Sequence, residues 1–292
     1  MVNSIEDYLN LLKKEMKSCD PATIQDAVAD AEEHLRLALE NTSDSEKENA
    51  LAKIIEDYGT PKETAEAYSS LETRFPVSLP KRTVNKNQNA FNRFFGIYTD
   101  PSAWSALLYM LLSLITGCLY FTIAVFGVSI SISLIVFIIG LPVLALFLLS
   151  FRGIAIVEGR IIEALLGIRM PRRPVFMQSN LSWMQKLTAL LKSKYTWFSL
   201  IYMVLLFPLG TFYFCLFITL IALGLSLLAV PIFQYGFNMA IITFGSSQYM
   251  IQDWAMPLIV LAGLLILTLT LHLAKGIAFL HGKLAKSMLV NE

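Results

Sequence analysis

The sequence predicts an all-α protein of two parts: a small soluble four-helix domain at the N-terminus, and a duplicated helical transmembrane domain made of two hairpin-plus-amphipathic-helix units. Three observations predict it. The 292 residues are 55% hydrophobic and only 15% charged, far from an ordinary globular mixture. Residues 1–72 hold 17 Asp/Glu against 7 Lys/Arg while the rest hold 5 against 16, so a net charge of +1 conceals a head near −10 and a body near +11. The apolar body also repeats itself.

The head, residues 1–72, begins with Ile5, Tyr8, Leu9, Leu12 and Met16 at helical spacing over 4–17. Asp20 before Pro21 reads as an N-cap followed by proline at the first helical position, and Ile24, Ala27, Val28, Ala31, Leu35 and Leu39 continue that second helix to about residue 41. Residues 42–44 can cap a third helix that Gly59 ends, and Thr60-Pro61 opens a fourth reaching about residue 71. Four short helices give a thin core, so the domain is expected to dock on its own membrane part or on a partner. Asp30 and His34 are helical neighbours with Glu33 beside them, but two ligands do not make a metal site. They read as a surface pair, with partner recognition as the alternative. An acidic head repels phosphate backbones, so direct nucleic-acid binding is not expected.

The residues Ser4 to Leu9 with Leu12, Asp30, Glu33-His34, and Tyr58-Gly59-Thr60-Pro61-Lys62-Glu63 with Ala65 together resemble the HAAS signalling domain of bacteria and archaea. The resemblance covers nearly the whole head. It implies a cytoplasmic position and association with PadR-type transcription regulators, hence a protein partner, with Tyr8, Asp30, Glu33, His34, Gly59 and Pro61 as partner-binding candidates.

Residues 73–100 read as a linker broken by Pro76 and Pro80, with Lys81, Arg82, Lys86 and Arg93 interleaved with Phe91, Phe94, Phe95 and Tyr98. That composition suits the lipid headgroup layer.

The membrane domain, 101–292, carries apolar runs that hydropathy counts as five spans, including one at 222–246. The repeat reduces them to four. Trp104, Tyr109, Gly117, Tyr120 and Phe121 recur as Trp197, Tyr202, Gly210, Tyr213 and Phe214 at an offset of 93; residues 152–160 recur as 275–283, with Gly140 matching Gly263, at 123. The expected spans are 104–126, 131–150, 197–220 and 255–274, with an outer turn at 127–130. Residues 224–253 become an apolar insertion on the outer side, a re-entrant or interfacial hairpin in which Pro231, Gln234 and Asn238 are outer sensing candidates. The stretches 154–168 and 277–290 read as amphipathic helices along the inner surface.

Charge sets the orientation. The loop 151–196 holds eight Lys/Arg, whereas 221–254 holds none, which places both termini in the cytoplasm of a multi-pass cell-membrane protein. Arg152, Arg160, Arg169, Arg172 and Arg173 then face the acidic head as head-docking candidates. Within the spans His272 is nearly the only ionisable residue, and it reads as an interfacial anchor.

Asp100-Pro101 with Trp104, Leu108-Tyr109, Gly140-Leu141-Pro142 and Glu158 to Gly167 resemble the sensor domain that precedes some bacterial histidine kinases, over about 94–290. No phosphoacceptor domain follows it here, so the resemblance implies signalling through the head. No phosphate loop, nucleophile elbow or zincin pair appears, so no enzyme and no cofactor is expected. The expected partners are the lipid bilayer and a cytoplasmic regulatory protein, and a homo-oligomer is allowed. A membrane subunit beside a transporter that handles a hydrophobic solute is the alternative.

Overall fold

The computed structural model describes residues 4–40, 47–74, 90–135, 140–173, 183–244 and 247–290. The chain divides into two compact units: Met1–Ser78, Thr122–Met203 and Gly282–Glu292 form one, and Leu79–Phe121 with Val204–His281 the other.

The head is four helices, α1 (Ile5–Glu15), α2 (Pro21–Glu40), α3 (Lys47–Tyr58) and α4 (Pro61–Arg74). Ser4 caps α1 by accepting from the Asp7 amide at 3.0 Å, and Asp20 accepts from Ala22 N–H at 2.9 Å ahead of Pro21. The residues proposed to cap α3 lie outside the described ones. Gly59, at φ +107°, makes the α3–α4 turn in a conformation that side chains resist. Thr60 and Glu63 then close a capping box: the Thr60 amide donates to the Glu63 carboxylate at 2.8 Å and the Glu63 amide to the Thr60 hydroxyl at 3.3 Å. Tyr8, Leu12, Met16, Ala27, Ala31 and Leu35 form the core that joins α1 to α2 and α4.

Among the described residues the body contains short α5 (Ala90–Phe95) and α8 (Trp183–Lys192) and four long helices, α6 (Pro101–Ile135), α7 (Gly140–Leu166), α9 (Lys194–Pro231) and α10 (Met256–Leu289). With 35, 27, 38 and 34 residues, all four exceed the roughly 20 needed to cross a bilayer. Ile115, Leu119, Ile218 and Leu261 stay exposed on them, as lipid-facing residues do. The protein is a multi-pass membrane protein.

Three sequence expectations are corrected. α6 runs straight through 127–130, where a turn was expected: one glycine costs a helix only about 1 kcal/mol, and Ser131 and Ser133 donate their hydroxyls to the Gly127 and Ser129 carbonyls at 2.7 and 2.9 Å. The stretches after Arg152-Gly153 and Lys275-Gly276 are not separate surface helices, because α7 and α10 continue through both pairs without a break. The insertion 224–253, expected as a re-entrant or interfacial hairpin, is a helical extension followed by a short β-ribbon. Its first part extends α9 to Pro231, a π-helical turn covers Ile232–Gly236, and a two-stranded ribbon follows, β1 (Ile242–Phe244) against antiparallel β2 (Ser247–Tyr249).

The duplication extends further than the sequence motif. Trp104 donates its indole N–H to the Tyr98 carbonyl at 2.9 Å, and Trp197 does the same to Leu191 at 2.7 Å, so the 93-residue offset includes the short helices before each span. In the second unit, a Cβ on Gly117 would lie 2.7 Å from the Leu206 carbonyl and one on Gly210 2.3 Å from the Ser113 carbonyl. Ser113 and Leu206 are themselves 93 apart. These are the reciprocal contacts of a pseudo-twofold axis between α6 and α9, with backbones touching through small residues.

Candidate functional site

Within the first unit, the acidic face of α2 meets the segment that follows α7. α7 ends at Gly167, whose φ of +65° and N–H bond to the Glu163 carbonyl turn the chain out of the helix. Residues 168–173 then pass the head. Asp26, 7% exposed, accepts through one oxygen from the backbone N–H groups of Arg172 at 2.6 Å and Arg173 at 2.9 Å. The Arg173 guanidinium pairs with Asp30 at 2.8 Å and Glu33 at 3.1 Å, and Lys286 pairs with Asp20. Asp30 is also held from within the head by the Tyr68 and Tyr58 hydroxyls at 2.9 and 3.3 Å, and His34 stacks on Tyr58 at 4.6 Å.

Electrostatics rank these contacts. Burial pushes the Asp26 carboxyl above its ordinary range, and the two backbone N–H bonds lower it without offsetting that. Burial and the Asp30 charge push the Tyr58 and Tyr68 phenols up, so both remain donors at neutral pH. The Arg173 pairs are half exposed and are worth about 0–1 kcal/mol each. Leaving either of the two backbone N–H groups without its Asp26 acceptor costs about 1–3 kcal/mol, which makes Asp26 the main fastener.

The other candidates fall in different places. Tyr8 is fully buried and donates to the Gly59 carbonyl at 2.8 Å, with the Thr64 hydroxyl at 3.0 Å, so Tyr8 belongs to the core of the head, while Gly59 and Pro61 are half-buried at the α3–α4 turn. Arg152 does not face the head: it is 7% exposed, donates to the Thr196 hydroxyl at 2.9 Å and lies over the Tyr195 ring, fixing α7 to the start of α9. Arg160 pairs with Glu163 at 2.9 Å, an acid it shares with Arg172. Arg169 lines a cavity with Asp26. On the far insertion, Gln234 is buried and clamps both backbone groups of Ile251, at 2.7 and 2.9 Å, a structural duty. Pro231 ends α9, and Asn238 is exposed at φ +51°.

The second unit holds a polar cluster that sequence reasoning missed. The Tyr109 hydroxyl lies 2.8 Å from His281 Nε2 and the Tyr213 hydroxyl 3.4 Å from Nδ1, with all three side chains buried. The repeat carried the signal, since 152–160 over 275–283 sets Glu158, also fully buried, at the position of His281. His272, read as an anchor, donates to the Phe94 carbonyl at 3.1 Å and stacks on that ring. Asp100, just before α6, is gripped by Lys275 at 2.5 Å.

Residues 7–67 match the HAAS family, and residues 109–289, more than half of the chain, match the Putative sensor family. The chain belongs to the sensor family. No curated protein and no solved structure matches it. The sensor domain contributes α7 and the arginine segment, and the HAAS domain, a protein-interaction module, contributes the Asp26, Asp30 and Glu33 stripe; together with four membrane-length helices they make a membrane signalling protein. The i, i+4, i+7 spacing of those three acids was readable as one helix face.

Proposed function

We propose that the sensor domain holds the HAAS head at rest on the arginine segment 169–173, and that a membrane or envelope signal frees the acidic stripe of α2 to bind a cytoplasmic regulatory protein. The observation that supports this is the double N–H clasp on Asp26, reinforced by Arg173 on Asp30 and Glu33. The chain's own segment occupies the face that a partner would use. The eight Lys/Arg of 151–196 support a cytoplasmic side for this contact and for both termini. A PadR-type transcription regulator is the partner that the HAAS resemblance implies. In this reading the protein performs no chemical reaction and transmits only a change in occupancy.

The test is capture of the purified PadR-type regulator by the full chain in lipid nanodiscs. Arg173→Glu, which sets like charges against Asp30 and Glu33, is expected to raise capture at least several-fold. Deleting residues 1–72 is expected to abolish it. Equal capture by wild type, Arg173→Glu and the headless protein would reject the proposal.

A further inference from the structure

The contact between α2 and the arginine segment is incomplete. Asp26, Tyr68, Leu71, Arg169, Arg172 and Arg173 line a half-open cavity of about 270 Å³ within the first unit. Three guanidinium groups and one carboxyl line it. Arg172 and Arg173 answer to Glu163, Asp30 and Glu33. Arg169 has only the charge of Asp26 beside it, and its Nε–H is buried with no hydrogen-bond partner. Buried polar groups are nearly always paired, so an orphaned guanidinium donor beside a cavity marks a missing acceptor.

We infer that this cavity is a binding site for a phosphate-type oxyanion, held by Arg169 and flanked by Arg172 and Arg173. Guanidinium groups match the planar, multi-oxygen acceptors of phosphate, which they can hold with two parallel bonds. At about 270 Å³, just below the roughly 300–1,000 Å³ of sites for drug-sized ligands, the cavity has room for a phosphate or pyrophosphate group. The two backbone N–H groups on Asp26 Oδ1 and the Arg169 and Arg172 charges beside it offset the repulsion between that carboxyl and a bound anion. The same chemistry is offered by a free phosphate compound and by an anionic lipid headgroup. Either would bridge α2 to residues 169–173 and strengthen the docked state, so the site supplies a chemical input to the switch; this role rests on the proposed function.

The test uses the full chain in phosphatidylcholine nanodiscs titrated with inorganic pyrophosphate by calorimetry, alongside native mass spectrometry of protein released from discs containing phosphatidylglycerol. Saturable pyrophosphate binding, weakened at least tenfold by Arg169→Gln and partly retained by Arg169→Lys, supports the site with a free ligand. Retention of phosphatidylglycerol by wild type, lost in Arg169→Gln, supports it with a lipid headgroup. Absence of both, or binding that Arg169→Gln leaves unchanged, overturns it. Should Arg169→Gln lower the unfolding midpoint, the comparison of Arg169→Lys with wild type decides. A protein that binds pyrophosphate but no regulator removes the signalling proposal alone, and the reverse result removes this one alone.

Discussion

Gly210→Leu is expected to destroy the crossing of α6 and α9 and with it most of the folded protein. The first added atom alone would sit 2.3 Å from the Ser113 carbonyl oxygen and 2.6 Å from its carbon, so backbone rather than a movable side-chain tip must yield. Overpacked cores lose about 1–3 kcal/mol, and a backbone-to-backbone clash belongs at or above the upper end. Gly117→Leu, the same position in the other repeat, meets Leu206 and Phe207 backbone atoms at 2.7–2.9 Å and is expected to fail similarly. The matched control is Gly276→Ala: nothing lies within 4 Å of its Cβ, and alanine favours a helix by about 1 kcal/mol. Unfolding midpoints in detergent, with size exclusion for monodispersity, should show Gly276→Ala at or above wild type. The two leucine variants should be low or aggregated.

Asp26→Ala and Asp26→Asn are expected to part ways. Alanine removes the acceptor of two backbone N–H groups, each then left short of a partner at about 1–3 kcal/mol, which weakens head docking by at least tenfold. Asparagine keeps a side-chain carbonyl in the same place and removes a charge that burial already disfavours, so docking should be retained or tightened at neutral pH. The sign of the pH effect follows from the raised carboxyl. The Asp26 share of docking is fully present below the ordinary carboxylate range and declines as pH rises through the raised value. Fluorescence transfer between labels on the head and on α8, followed against pH, should show that decline in wild type and not in Asp26→Asn.

The sequence disclosed the parts whose physics is periodic or local. The head helices follow from apolar spacing with Asp20-Pro21 and Gly59-Thr60-Pro61 as punctuation, and the duplication survives translation into structure as the paired Trp104 and Trp197 bonds. What stayed illegible depended on tertiary context. A lone glycine could not reveal that α6 continues past 127–130, because lipid rewards unbroken backbone pairing more than glycine penalises it. The arginine run at 169–173 was visible, but which acids it meets depends on the Gly167 turn. Arg152 seemed equally available, yet its position within α7 turns it to Thr196. His281 was hidden because apolar residues around it look alike whether they face lipid or a tyrosine hydroxyl.

Amide hydrogen exchange at Arg172 and Arg173, in the full chain in nanodiscs with and without the PadR-type regulator, tests the central claim most directly. Docking predicts that both amides exchange slowly in the resting protein, at least tenfold slower than in Asp26→Ala, and become fast when the regulator binds. Fast exchange at rest, or protection that the bound regulator leaves unchanged, would contradict it.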